Sequence, residues 1–270
     1  MREVPFLEVR ELSKRFGAIR ALDNVSLRVR SGEVHGLVGA NGAGKSTLIR
    51  VLAGVCPPDS GSTLIDGSLV SIHDPVQATA LGLNFIHQEL NLVPKLTALQ
   101  NLALGLRKPS RAGVLIDWRA VQREAAPVAE RLNMRFSLNA RVDSLSVGDR
   151  WLVAIGRALL RKARLIAMDE PTASLSDGET QRLFNLLREL TASGVAILYV
   201  THRLQEVVEL CDVVTVLRDG RIVCSLARSE VNRPVLVREI IGRALEPNVD
   251  VPQEELTQGE TMLEVRHLVR

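Results

Sequence analysis

The sequence predicts an α/β protein with a mostly parallel core sheet. Three observations lead there. Short apolar runs at 33–38, 164–169 and 195–200 alternate with stretches of helical periodicity, the pattern of strands buried on both faces and joined by crossover helices. The first run leads into a glycine-rich loop, GANGAGKST, and STLIRVLAG beyond it has helical spacing, which reads as strand, loop, helix. The second run closes on adjacent acids, Asp169 and Glu170, where an open parallel sheet gathers its ligand-binding groups.

With 270 residues, 46% hydrophobic and 24% charged, the chain can bury a sizeable core as one large domain or as a domain with a subdomain. No apolar run approaches the ~18 residues a membrane-crossing helix needs. The charged opening MREVPFLEVRE lacks the apolar region of a secretory signal. Cys56, Cys211 and Cys224 lack metal or disulfide spacing and suit free thiols in a reducing cytosol. The histidines also lack ligand spacing, and a net charge of +3 is too mild to indicate nucleic acid.

Two amphipathic segments follow the glycine loop, one before the second strand run and one between the second and the third. SVGDRWLVAIGRALLRK places Trp151, Leu152, Ala154, Ile155, Ala158 and Leu159 on one face, with Arg150, Arg157 and Arg161 opposite. A further helix opens with a capping box from Ser176 to Glu179 and continues through Leu183, Phe184, Leu186, Leu187 and Leu190. VVTVLRDGRIVCSLA has alternating runs around Asp219-Gly220, a hairpin signature. From Glu246 to Thr261 the composition turns to Pro, Gly, Gln and acids, as in linkers.

The glycine loop fits G-x-x-x-x-G-K-[ST] from Gly39 to Ser46. Glycines at 39, 42 and 44 let backbone N–H groups of Ala40, Asn41, Ala43 and their neighbours turn toward phosphate oxygens. The helix that starts beside Thr47 adds partial positive charge there. Lys45 is placed to neutralise β- and γ-phosphate charge, and the Ser46 hydroxyl to ligate Mg²⁺. Asp169 is placed to hold the same Mg²⁺ through its water shell, and Glu170 to polarise an attacking water. Together these residues point to a nucleoside-triphosphate site.

At LSVGDR, from Leu145 to Arg150, the sequence resembles the ATP-binding subunits of ABC transporters, whose signature is usually LSGGQ and, in the sugar-importer branch, often LSVGQ. The resemblance runs over nearly the whole chain. It implies a P-loop NTPase fold: a mostly parallel core sheet, an N-terminal antiparallel β subdomain, and an inserted helical subdomain at about 88–162. Phe16 matches the aromatic residue on which adenine stacks. Gln88, within HQELNLVPKLTALQNL, matches the family's Gln, which contacts Mg²⁺ and water and links to the membrane subunit. Ser174, Leu175, Ser176 and Asp177 match the loop that crosses between paired domains, and His202 matches the switch histidine that reaches the γ-phosphate. The signature residues Leu145, Ser146, Val147, Gly148 and Asp149 act on the nucleotide of the other domain. Ser146 and Asp149 also form an S-x-x-D helix cap, since capping and anion binding use the same N–H groups. Asp149 departs from the family's usual Gln and puts an acid near the facing phosphates.

The last nine residues, MLEVRHLVR, repeat the opening FLEVRELSK at five positions: Leu7/Leu263, Glu8/Glu264, Val9/Val265, Arg10/Arg266 and Leu12/Leu268. The sugar branch often joins two nucleotide-binding domains in one polypeptide, so the chain reads as a first domain over 1–245, a linker over 246–261 and the start of a second domain over 262–270. The resemblance implies an ATP-driven importer subunit, with ATP and Mg²⁺ as ligands and a monosaccharide as cargo. Its partners would be a second nucleotide-binding domain, a transmembrane permease and a periplasmic or extracellular sugar-binding protein, and its place the cytoplasmic face of the membrane. A soluble ABC-type ATPase acting on ribosomes or DNA is the alternative. Such proteins usually carry a long charged helical linker or zinc-binding Cys insertions, whereas the linker here is short and no CxxC is present.

Overall fold

The computed structural model describes residues 4–106, 110–111 and 115–242. The predicted linker and the repeated opening lie outside them. In chain order the elements are β1 (Leu7–Phe16), β2 (Ile19–Val29), β3 (Val34–Val38), α1 (Lys45–Leu52), β4 (Ser60–Ile65), β5 (Ser68–Val70), α2 (Pro75–Ala80), β6 (Leu83–Ile86) and α3 (Ala98–Leu102). A short hairpin, β7 (Ser110–Arg111) and β8 (Leu115–Ile116), precedes α4 (Trp118–Arg131) and α5 (Val147–Leu160). Then come β9 (Leu165–Asp169), α6 (Asp177–Ala192), β10 (Ala196–Val200), α7 (Leu204–Leu210), β11 (Val213–Arg218), β12 (Arg221–Ala227) and α8 (Arg233–Ile241).

The core sheet has the order β12-β11-β3-β10-β9-β6. From β11 to β6 every pairing is parallel, and β12 joins as an antiparallel edge. Its central strands are wholly buried, as in VHGLV of β3 and AILYV of β10, so their continuous apolar runs follow from helices or sheet covering both faces. The β11–β12 hairpin turns at Asp219 and Gly220, both at positive φ (50° and 75°), as its sequence predicts. The second sheet is antiparallel, β2-β1-β4-β5. It closes over one side of the core sheet through Phe6, Leu7, Leu22, Val25 and Leu27 against Leu48, Leu52, Leu165 and Leu198.

The other side of the sheet is covered by α5, α6 and α7, through Trp151, Ile155, Phe184, Leu187 and Val207. The segment between β6 and β9 carries its own small core of Leu99, Leu102, Val121, Val142, Leu145 and Val153. Helix α5 therefore has apolar neighbours on two sides, and this corrects its expected form. Arg150, Arg157 and Arg161 do not make a solvated face. They reach back to backbone carbonyls: Arg150 Nε to Val142 O and Leu145 O (both 3.1 Å), and Arg161 Nη2 to Leu104 O (2.6 Å). Arg157 donates to Asn91 O and Leu90 O (2.9 and 3.0 Å). A long side chain can bury its stem and spend its head on carbonyls the chain leaves unpaired.

Candidate functional site: a phosphate loop and the ends of four parallel strands

Parallel pairing puts the C-terminal ends of β3, β10, β9 and β6 side by side. Val200 is level with Leu37 on one flank and with Asp169 on the other, and Ile86 is level with Met168. With neighbouring strands roughly 4.8 Å apart, the four ends span about 14 Å. Four segments leave the sheet at this edge: Gly39–Ser46 after β3, Thr201-His202 after β10, Glu170 after β9, and His87-Gln88 after β6. The partners of β3 on both sides, β11 and β10, come from far along the chain, which opens the sheet's switch-point crevice above β3.

The loop from Gly39 to Gly44 is pressed against its surroundings at two points. A Cβ on Gly39 would lie 2.1 Å from Leu217 O, and one on Gly44 would lie 2.5 Å from Ala21 O. Gly44 is also left-handed, with φ of 108°, so only glycine fits there. The turn tightens through Ala43 N–H donating to Ala40 O at 3.1 Å. Ala40, Asn41, Gly42 and Ser46 are exposed, while Thr47 is half-buried. Among the described helices of eight residues or more, α4, α5, α6 and α8 are each capped by a side chain, from Asp117, Ser146, Ser176 and Asn232. Helix α1 has no side-chain cap and no acid in its first turn. Its first N–H groups and its dipole are left for an external anion.

Lys45 Nζ bends back over the loop and donates to Gly39 O at 2.7 Å and Ala40 O at 3.0 Å. Burial lowers its pKa, opposed by the charges of Asp169 and Glu170. Asp169 shifts the other way: burial and then the Glu170 charge raise it, against His87 and Lys45. A desolvated carboxylate beside a second carboxylate is a place where a cation relieves the charge. Among the described residues no cluster of three or more His, Cys, Asp or Glu forms a metal cage. The donors present here are instead one carboxylate, the Ser46 hydroxyl and, from the neighbouring strand end, the Gln88 amide. These hard oxygens fit Mg²⁺, which takes few protein ligands and keeps phosphate and water for the rest.

Glu170 takes a left-handed conformation, with φ of 49°, held by its N–H donating to Val200 O at 2.8 Å. For a non-glycine residue that costs about 1–3 kcal/mol, a strain typical of functional positions. In this pose its Oε1 accepts from His202 Nδ1–H at 2.7 Å, so the two side chains meet over the ends of adjacent strands. Gln88 is exposed beyond β6. Phe16, 43% exposed, ends β1, with Lys14 Nζ 5.5 Å from its ring centroid. It lies at the β1–β2 turn, next to the strand whose Ala21 backs Gly44.

Residues 22–173 match the family described as ABC transporter. The chain belongs to the ABC transporter family. It is 46% identical over 266 residues to a ribose import ATP-binding protein of Rubrobacter xylanophilus, covering 98% of this chain and 52% of that protein. It is 47% identical over 243 residues to an arabinose import ATP-binding protein of Burkholderia cenocepacia, covering 90% of this chain and 47% of that one. The chain thus spans about half the length of the curated relatives it matches. A crystal structure of the ADP conformation of an ABC transporter's ATP-binding cassette superposes with a TM-score of 0.78 at 29% identity, covering 89% of this chain and all of that one.

The LSVGD segment, Leu145–Asp149, does not join the phosphate loop. Leu145 is buried, Ser146 caps α5, and Val147, Gly148 and Asp149 form its first turn. Ser146, Gly148 and Asp149 line a cleft of about 470 Å³ with Leu175, Glu179 and Arg182, and no phosphate-loop residue reaches it. The cap is reciprocal: Asp149 N–H donates to Ser146 Oγ at 3.1 Å, and Ser146 O–H to Asp149 Oδ2 at 2.9 Å. In the loop Ser174–Asp177, Ser176 caps α6, and Glu179 accepts from Ser176 N–H (3.0 Å) and O–H (2.8 Å).

Two contacts extend the site beyond what its motifs disclose. The Glu179 carboxylate also faces Gly148, where a Cβ would come 2.9 Å from Oε1. It thereby lies between the Ser174–Asp177 loop and the first turn of α5, and hydrogen bonds from Ser176 depress its pKa. Arg157 grips the carbonyls of Leu90 and Asn91, two successive left-handed residues (φ 56° and 46°) just after Gln88. Arg157 thereby fastens α5 to the segment that follows Gln88. The capping box predicts the Ser176–Glu179 pair, but nothing in the sequence signals the approach of Glu179 to Gly148 or the grip of Arg157 on Leu90 and Asn91.

Proposed function

We propose that this chain is the ATP-binding and hydrolysing motor subunit of an ABC importer for a monosaccharide. The observation that carries the reading is the meeting, at one sheet edge, of an uncapped helix N-terminus, Lys45, Asp169 and a Glu170–His202 pair. ATP phosphates occupy the loop Gly39–Thr47 and take over the ammonium of Lys45 from the loop carbonyls, while adenine stacks on Phe16. Ser46, Asp169 and Gln88 would hold Mg²⁺, which would supply charge neutralisation at the triphosphate. Glu170 accepts a proton from the water that attacks the γ-phosphorus. The bond to the β,γ-bridging oxygen breaks, and ADP and phosphate leave. His202 orients Glu170 and presents its far ring nitrogen to the γ-phosphate. Catalysis here is positioning plus charge stabilisation.

Resemblance supports a second cassette as the facing partner, with its signature over this phosphate loop and Ser146–Asp149 over the partner's. It also supports docking on a permease at the cytoplasmic face, fed by a sugar-binding protein. No described helix is long and apolar enough to cross a membrane. The two relatives named for ribose and arabinose import favour a pentose as cargo.

Phosphate release measured against protein concentration tests this reading. Turnover per molecule is expected to rise with concentration, because a facing copy completes each site. Concentration-independent turnover contradicts the facing-domain arrangement. In the same assay Asp149→Gln should turn over faster, since Asp149 holds the Ser146 hydroxyl and adds negative charge opposite the phosphates. An unchanged rate removes any role for that acid.

A further inference from the structure

The strained Glu170 and the exposed His202 meet without either being braced by its own side chain. The brace lies one layer below. Glu206, in the first turn of α7 and 7% exposed, accepts hydrogen bonds from four groups. Thr172 Oγ1–H reaches its Oε1 and Tyr199 O–H its Oε2, at 2.5 and 2.8 Å. Thr201 Oγ1–H reaches Oε2 at 3.3 Å, and Arg203 Nη1 lies 3.5 Å from Oε1. Thr172 is two residues past Glu170, Thr201 and Arg203 flank His202, and Tyr199 is the penultimate residue of β10. Thr172, Tyr199 and Thr201 are each 1% exposed or less. Burial, then the Glu206 charge, raises the Tyr199 pKa far beyond its ordinary value, so that hydroxyl remains a donor.

We propose that Glu206 is a positioning residue: its carboxylate locks the Glu170 turn and the His202 turn into one rigid unit, so that the two side chains meet at hydrogen-bond distance. An ionised carboxylate accepts on both oxygens, which lets one group collect hydroxyls from the turn after β9, from β10 and from the turn after it, with the Arg203 guanidinium beside them. Helix α7 is itself held by Val207 and Leu210, both fully buried in the core. The proposal rests on the reading of Glu170 and His202 as the hydrolytic pair. None of the four partners belongs to the phosphate loop, so the brace should govern turnover and leave nucleotide affinity alone.

Glu206→Gln tests it, with Thr172→Val as a second variant that keeps the carboxylate. The expected result is a fall in kcat of roughly tenfold or more, an ordinary consequence of a small misplacement, with the dissociation constant for MgATP within about twofold of wild type. A merely structural role would lower the melting temperature and leave kcat of the folded fraction unchanged, which overturns the proposal. A readout independent of ATP is the imidazole ¹⁵N–¹H spectrum of the nucleotide-free protein. The His202 Nδ1–H signal should be present in wild type and lost in Glu206→Gln; its persistence overturns the proposal. Absence of any turnover in wild type counts against the ATPase reading, and the His202 spectrum still decides the role of Glu206. If Glu206→Gln does not fold, Thr172→Val decides: the same split between kcat and affinity supports the brace, and an unchanged kcat refutes it.

Discussion

Glu170→Gln is expected to lower ATP turnover by roughly 10²–10⁴-fold, the usual contribution of a positioned general base, while MgATP still binds. Gln keeps the shape and can still accept from His202 Nδ1–H, the bond that measures 2.7 Å in the native pair, but it cannot take a proton from water. Binding should if anything tighten. The Glu170 charge is one of the groups that raise the Asp169 pKa, and removing it relieves repulsion both at Asp169 and toward the phosphates. Phosphate release and a fluorescent-nucleotide titration on the same preparation separate the two effects. Turnover at the wild-type rate would assign the base elsewhere.

Lys45→Ala should cost the other half of the site. Hydrogen bonds to charged groups contribute about 1.5–3 kcal/mol each, so losing the ammonium should weaken MgATP binding roughly 10- to 150-fold. Stability should not fall with it. Burial already lowers the Lys45 pKa, a sign that the folded protein holds this charge at a cost when no phosphate is bound. A normal melting temperature with lost affinity is the expected pair of results. Undiminished affinity would remove Lys45 from the site.

Much of this was legible in the chain because it is local. The loop between β3 and α1 declares itself through glycines, and the structure explains two of them by the backbone of Leu217 and Ala21 pressing on Gly39 and Gly44. The buried strands followed from apolar runs, the β11–β12 turn from Asp219-Gly220, and the caps of α5 and α6 from Ser146 and Ser176. What could not be read depends on contacts between distant positions. Arg157 lies on a helical face that periodicity marks as solvated. It instead donates to carbonyls 66 and 67 residues away, those of Asn91 and Leu90, both in left-handed conformations. Glu206 is an ordinary acid near a helix start until the sheet brings Thr172, 34 residues back, against it. Motifs mark the groups that touch a ligand; the groups that hold them still are set by tertiary packing.

The departure at Asp149 shows the same division. Its capping of Ser146 was readable from spacing. That the Ser146 hydroxyl is thereby spent on an acid, in the reciprocal pair at 2.9 and 3.1 Å, needed the side chains.

A calorimetric titration of the wild-type chain in Mg²⁺ with ATP, ADP and adenosine tests most directly whether the pocket is built around phosphate. One nucleotide per chain is the predicted stoichiometry, with ATP and ADP binding far more tightly than adenosine and the difference lost in Lys45→Ala. Equal affinity for adenosine and ATP, or no heat with any of the three, would contradict it.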